Sequence, residues 1–272
     1  MKSDKIGNHK KKAILVVSFG TSYNDTRDKT IGAIEQTIAL AFPDFDIKRA
    51  FTSRIIINKL KERDGLKIHD VAEAMDELAE QGYETVIIQP THVIKGIEYD
   101  EMLRIIRPYQ PCFSKLIFGE PLLSHKEDFL KVIDILIKYT ESFNNSKTAI
   151  VLMGHGSEHE ANGDYIRLEQ YFRDMGYKNY IVGTVEADPS LETVISKAAE
   201  TEANRVILQP FMIVAGDHVN NDMAGEGRDS WKTKFQTAGY EVICVMKGLG
   251  EFREIRDLFV QHIGYAINKT ER

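Results

Sequence analysis

His155, Glu186 and His218 each follow an apolar run that reads as a buried parallel strand, and they stand 31 and 32 residues apart. That interval is about one strand-helix-strand repeat, because a parallel strand needs a crossover of a dozen or more residues before its neighbour begins. Three residues one unit apart fall at the same end of neighbouring strands. In open α/β sheets the carboxyl ends of the strands are where ligands bind. Two imidazoles and a carboxylate suit a divalent first-row metal, and an imidazole can also accept a proton near neutral pH. The pattern predicts a metal held at a cleft.

Each of the three has a plainer explanation when taken alone. His155, in Met153-Gly-His-Gly-Ser157, could be a histidine hydrogen-bonded in a tight turn. Glu186, before Ala187-Asp-Pro189, could cap a helix, and His218, in Val214-Ala-Gly-Asp-His-Val-Asn-Asn-Asp222, could be a loop residue without a partner. Their regular placement favours a shared role. His155-Gly-Ser-Glu-His159 also matches the H-x-x-E-H pattern of a metalloprotease class. That chemistry needs both histidines on a helix, whereas His155 lies between glycines directly after a strand, so the match reads as accidental and His159 as solvated. No G-x-G-x-x-G follows the first strand of either half, so no nucleotide or flavin cofactor is expected.

The elements that must position these residues alternate between strand-like and helix-like from end to end, the signature of an α/β protein with parallel sheets flanked by helices. Strands are predicted at Ala13–Phe19, Asp46–Phe51, Thr85–Pro90 and Lys115–Phe118, then at Tyr180–Val185 and Glu241–Lys247. Asp25 is expected to cap a helix with Ile31, Ile34 and Ile38 on one face; Val71, Met75 and Leu78 mark another, and Trp231 and Phe235 a core-facing pair. A long helix from about Lys126 to Phe143 ends at the polar break Asn144-Asn-Ser146.

The second half then starts over. Lys147-Thr-Ala-Ile-Val-Leu-Met-Gly-His-Gly-Ser157 echoes Lys11-Lys-Ala-Ile-Leu-Val-Val-Ser-Phe-Gly-Thr21, and Arg205-Val-Ile-Leu-Gln-Pro210 echoes Thr85-Val-Ile-Ile-Gln-Pro90. Two echoes in the same order predict two similar Rossmann-like lobes, residues 1–143 and 147–272, with the metal site in the second, an inter-lobe cleft, and a last helix that packs back on the first lobe. The first lobe sets Phe19 opposite His155, roughly Thr52 opposite Glu186, and Glu98 opposite His218, so the ligand set belongs to one lobe. His92 and Glu98 occupy the corresponding loop of the first lobe and could face the same cleft.

Composition narrows the function further. With 35 basic and 41 acidic side chains the formal charge is −6, which argues against a nucleic-acid partner but not against a small anionic substrate. Lys95, Arg54 and Arg104 fall in or near predicted cleft loops where they could meet carboxylates. No apolar run is long enough to span a bilayer, no export signal opens the chain, and Cys112 and Cys244 form no C-x-x-C pair, so a reducing cytoplasm and no membrane partner are expected. Self-association of the chain is left open.

Several segments in order resemble the anaerobic cobalt chelatases that insert cobalt into sirohydrochlorin, within the wider ferrochelatase-like group. They are Leu15-Val-Val-Ser-Phe-Gly-Thr-Ser-Tyr23, Arg49-Ala-Phe-Thr-Ser53, Met153-Gly-His-Gly156, Val214-Ala-Gly-Asp-His218 with Asn221-Asp-Met223, and Asp229-Ser-Trp-Lys232. The resemblance runs from Ala13 to about Ala266. It implies two α/β lobes around a tetrapyrrole cleft, with Co2+ as substrate metal held by His155, Glu186 and His218, and His155 as proton acceptor. A tetrapyrrole loses two pyrrole protons as a dication enters, so a base beside metal donors makes chemical sense. Both tasks need neutral imidazole, so activity is expected to fall in acid. Thr21, Ser22 and Tyr23, with the loop from Lys95 to Tyr99, are placed to grip the substrate's carboxylates. Insertion of Fe2+ or Ni2+, a non-catalytic tetrapyrrole carrier, and a two-lobed binding protein for sugars or amino acids remain as alternatives.

Overall fold

The computed structural model describes residues 11–270. Strands β1 (Lys12–Ser18), β2 (Asp46–Phe51), β3 (Thr85–Pro90) and β4 (Lys115–Phe118) form one parallel sheet in the order β2-β1-β3-β4. Strands β5 (Thr148–Gly154), β6 (Tyr180–Thr184), β7 (Arg205–Pro210) and β8 (Glu241–Cys244) form a second in the matching order β6-β5-β7-β8. Every residue of β5 is buried, as expected of a central parallel strand covered on both faces.

The helices of the first half are α1 (Asn24–Arg27), which runs through a π-helical turn into α2 (Ala33–Ala41), then α3 (Arg54–Asp64), α4 (Val71–Glu80), α5 (Ile97–Ile106) and α6 (Lys126–Thr140). Those of the second are α7 (Gly163–Asp174), α8 (Leu191–Ala199), α9 (Trp231–Thr237) and α10 (Arg253–Thr270). Local chemistry sets several of their ends. The Asp70 carboxylate accepts from the Glu73 backbone N–H at 3.0 Å while Glu73 accepts from that of Asp70, a reciprocal cap that starts α4 and points Val71, Met75 and Leu78 into the core.

The duplication holds at the level of hydrogen bonds. Ala13 pairs with Val86 as Ala149 pairs with Val206, and Val17 with Pro90 as Met153 with Pro210. Beyond the strand ends, Thr91 donates to the carbonyl of Val17 at 2.8 Å, and Phe211 to that of Met153 at 2.7 Å. Gln89 and Gln209, both buried, each donate to the carbonyl of the following proline and to a loop carbonyl after the edge strand, Glu120 in one lobe and Lys247 in the other. A polar side chain in each core thus fixes the loops at the carboxyl end of its sheet.

Apolar packing joins the halves. One continuous cluster contains Ile14, Val16 and Ile87 of the first sheet, Ile150, Leu152 and Ile207 of the second, and Phe129, Phe172 and Phe259 from helices between them. Separate clusters cover the outer faces, built on α4 and α5 in one lobe and on α8 and α9 in the other. The last helix, α10, packs against α2 and α6 and reaches β3 and β4. His262 on α10 sits 3.1 Å from Asp128 of α6 and 3.1 Å from the carbonyl of Glu120, a polar fastening inside that contact.

Two sequence expectations need correction, and one helix had no counterpart among the expected elements. Asp25 is not the cap: the helix starts at Asn24 with Tyr23 at the cap position and no side-chain cap bond, and Asp25 lies in the first turn, where its charge suits the helix dipole. Of the basic residues expected in or near cleft loops, Arg54 opens α3 directly after such a loop and Arg104 lies in the last turns of α5, and neither lines the cavity. The run Ile55-Ile56-Ile57 is a poor helix signal, yet Ser53 accepts from the Ile56 N–H at one end and Gly65 takes a left-handed φ of 64° at the other.

Candidate metal centre

His155 leaves the end of β5 between two glycines whose missing side chains are both required. A Cβ at Gly154 would run into the ring of Tyr165, which packs beneath the turn. Gly156 has φ +93°, and a Cβ there would stand 2.8 Å from the Ala187 nitrogen, inside van der Waals contact. The parallel pairing continues past the strand ends: Val185 donates to the carbonyl of Gly154 at 3.0 Å, and Glu186 to that of His155 at 2.9 Å. Those two bonds set Glu186 beside His155. The first-lobe counterparts are Thr52 to Ser18 and Ser53 to Phe19, so Ser53, one residue beyond the expected Thr52, matches Glu186.

His218 enters from the third strand of the set, β7. The segment expected to be a polar loop is a helical turn, with His218 immediately before the π-helical stretch Val219–Met223. That turn brings Asp222 within 2.7 Å of His218 Nδ1. The imidazole donates Nδ1–H to the carboxylate, leaving the Nε2 lone pair directed at Glu186, whose Oε1 is 3.8 Å away. His155 Nδ1 lies 3.0 Å from the carbonyl of Gly156 and 3.5 Å from Glu186 Oε2. Both neighbours are acceptors, so the proton belongs on Nδ1 and the Nε2 lone pair of His155 is free.

Donor atoms from His155, Glu186 and His218 all lie within 4.8 Å of one another. The two imidazoles meet edge to face with centroids 4.8 Å apart. Their side chains are 32% and 31% exposed, and that of Glu186 54%, so an ion or ligand can reach all three without the fold opening. An N2O set of this size suits a first-row dication and leaves coordination positions open for an incoming donor. Sequence reasoning gave Asp222 no role; the signal was its spacing four residues beyond His218, which has meaning only on a helix.

The two histidines form one wall of a cavity of about 430 Å3 between the lobes, within the range of small-molecule sites. Thr21, Ser22, Tyr23, His92 and Glu98 line it from the first lobe. Lys95 does not: its ammonium is 3.0 Å from Glu120 and outside the lining. Arg54 pairs with Asp70 at 3.2 Å, and neither it nor Arg104 reaches the cavity. His159 is not simply solvated, since its Nδ1 accepts from the Ala161 N–H and its Nε2 lies 3.4 Å from Asp100 of the first lobe. No helix runs from His155 to His159, so the metalloprotease arrangement is absent.

Burial settles two other ionisable groups at the cavity. The Tyr165 phenol is pushed up to about 12 by burial and stays neutral. His92 has both ring nitrogens shielded from solvent and without a hydrogen-bond partner among the described residues, although an edge of the residue reaches the cavity. Burial holds its pKa down at about 4, against a smaller opposing pull from Glu98.

Known proteins share this architecture and much of the sequence. A SirB from Bacillus subtilis, solved with Fe3+, superposes with a TM-score of 0.65 over 96% of this chain and 98% of its own at 14% identity, which speaks to the fold. A sirohydrochlorin cobaltochelatase CbiKC of Nitratidesulfovibrio vulgaris is 27% identical over 263 residues, 96% of this chain and 92% of that protein. A sirohydrochlorin cobaltochelatase of Salmonella typhimurium is 42% identical over 258 residues, 95% of this chain and 97% of its own length. The family model described as cobalt chelatase (CbiK) matches residues 12–268. By a match that spans almost its whole length, the chain belongs to the cobalt chelatase family.

Proposed function

We propose that this protein inserts Co2+ into sirohydrochlorin, with His155, Glu186 and His218 as the donors that present the ion to the ring. The observation that carries the reading is the convergence of two imidazoles and a carboxylate from three successive strand ends to within 4.8 Å of one another, with both imidazoles on the cavity wall. His218 is held by Asp222 as a donor through Nε2, and Glu186 brings negative charge that favours a dication. As the ring nitrogens take the ion, the Nε2 lone pair of His155 is released from it and can accept one pyrrole proton, while the second pyrrole proton leaves to solvent. The ring enters between the lobes, with Phe19 beside His155 at a centroid distance of 6.3 Å. The cytoplasm is the setting proposed, in keeping with two free thiols at Cys112 and Cys244; among the described residues no helix is long and apolar enough to cross a membrane.

The test is an anaerobic absorbance assay with purified protein, sirohydrochlorin and each of Co2+, Fe2+ and Ni2+. Multiple turnovers with Co2+ are expected. A protein that binds the ring and never turns over would be a carrier, and the proposal would fall.

Asp222→Ala tests the orientation of His218. Removing a carboxylate that holds a liganding histidine typically costs about 10- to 100-fold in metal affinity or activity. Calorimetric titration with Co2+ should show weaker binding by that order, and an unchanged dissociation constant would mean that Asp222 does not set the imidazole.

A further inference from the structure

We infer that Lys59, an unpaired lysine beside the exposed Ile55 on the cavity face of α3, grips a carboxylate of the tetrapyrrole and so sets recognition of the substrate's acidic edge. The inference rests on the function proposed above, which supplies a ring bearing several carboxylates. Such a ligand approaches a protein of net charge −6 through a cavity whose lining includes Glu98 and Asp217. Some cation must offset that field for the polyanion to be drawn in.

Lys59 is the one lysine or arginine among the described residues that line the cavity. Other nearby cations are already committed. Lys95 is held by Glu120 and Arg54 by Asp70. Arg27 donates to Asn24 at 2.8 Å, and Arg63 is divided between Asp64 and the carbonyl of Ser22. The Lys59 ammonium has neither an ion pair nor a hydrogen bond among the described residues. An ammonium without an internal partner can contact a ligand carboxylate without first breaking another ion pair.

Its surroundings fit the two chemistries of the ring. Ile55 and Lys59 are four residues apart on α3, hence neighbours on one face, and both line the cavity. Ile55 is 81% exposed, an apolar side chain left in solvent at the cleft. An apolar contact for the macrocycle thus stands next to a cation for its carboxylate. The helix itself is fixed: Leu60 is fully buried against Ile31 and Phe51, and Arg63 ties α3 to the loop carrying Ser22. Little ordering is left for the substrate to impose on the backbone.

The experiment measures KM for sirohydrochlorin, kcat at saturating Co2+, and equilibrium ring binding followed by absorbance, for wild type, Lys59→Met, Lys59→Arg and Lys59→Glu. Lys59→Met is expected to raise KM and Kd roughly fivefold, the upper range for a partly exposed ion pair, with kcat within about twofold. Lys59→Arg should stay near wild type, and Lys59→Glu should weaken binding about 25-fold by adding repulsion of similar size. Added salt should raise the wild-type KM, whereas in Lys59→Met, where only repulsion from the protein's own carboxylates is left to screen, it should not raise KM. Unchanged KM and Kd in Lys59→Met would overturn the inference. If wild type binds the ring without inserting metal, the proposed activity fails while the binding constants still decide Lys59. If wild type does not bind the ring, both fall.

Discussion

Replacing His155 by alanine is expected to lower cobalt insertion by about three orders of magnitude, because a donor to the ion and an acceptor for a pyrrole proton are lost together. The ring should still bind. The His155 side chain is a third exposed, and its own hydrogen bond is to the adjacent Gly156 carbonyl, so its removal leaves the turn held by Gly154, Gly156 and the Glu186 backbone bond. Steady-state rates and equilibrium ring binding separate these effects: kcat should collapse while the dissociation constant for sirohydrochlorin moves by less than about threefold. His218→Ala is the companion measurement. His218 already spends Nδ1–H on Asp222, and its loss should cost less than that of His155 if His155 alone moves the proton. A His155→Ala protein within tenfold of wild type would remove the base from the mechanism.

Acid should destabilise the protein through His92. In the folded state burial holds its pKa at about 4, whereas an unfolded histidine titrates near 6.5. Between these values the unfolded chain binds a proton that the folded one refuses, so stability rises with pH through this window and falls as pH drops. The contribution is fully present above about 6.5 and is lost progressively toward 4. From pH 7 to pH 5 the loss is on the order of 2 kcal/mol. His92→Met isolates it, since the repeat sets Met212 at the equivalent place in the second lobe, where it lines the same cavity. Urea unfolding at both pH values should show wild type losing about 2 kcal/mol more than the variant. Equal losses would mean that the imidazole gains a partner or solvent in the folded state. The variant should also be no less stable at pH 7, because it removes two unpaired ring nitrogens from the interior.

Much of this protein was legible in its residues because the signals were local or periodic. The apolar runs at β1, β3, β5 and β7 are bounded by polar or turn residues, and the paired segments ending in Gln-Pro repeat the same backbone task in each lobe. A constant spacing of strand-end residues is enough to bring His155, Glu186 and His218 to one edge of one sheet, since parallel strands share their direction. By contrast, α3 was hidden by three consecutive β-branched residues, and with it went the cavity-facing Lys59. Arg54, Arg104 and Lys95 were the basic residues expected at the cleft, and carboxylates of the protein itself occupy Arg54 and Lys95.

The chain's order of residues determined the α/β class, the duplication, and which three side chains meet at the candidate metal centre, because strand period and crossover length leave few other arrangements. Tertiary structure alone decided the partners of each charge: which cavity-lining lysine stays unpaired among the described residues, that Asp222 turns beneath His218, and that the ring nitrogens of His92 are shielded without a hydrogen-bond partner among those residues. Those outcomes depend on distances between segments far apart in the sequence, set by how α3, α10 and the two sheets pack, and a Coulomb or hydrogen-bond contact is made or lost within an ångström or two.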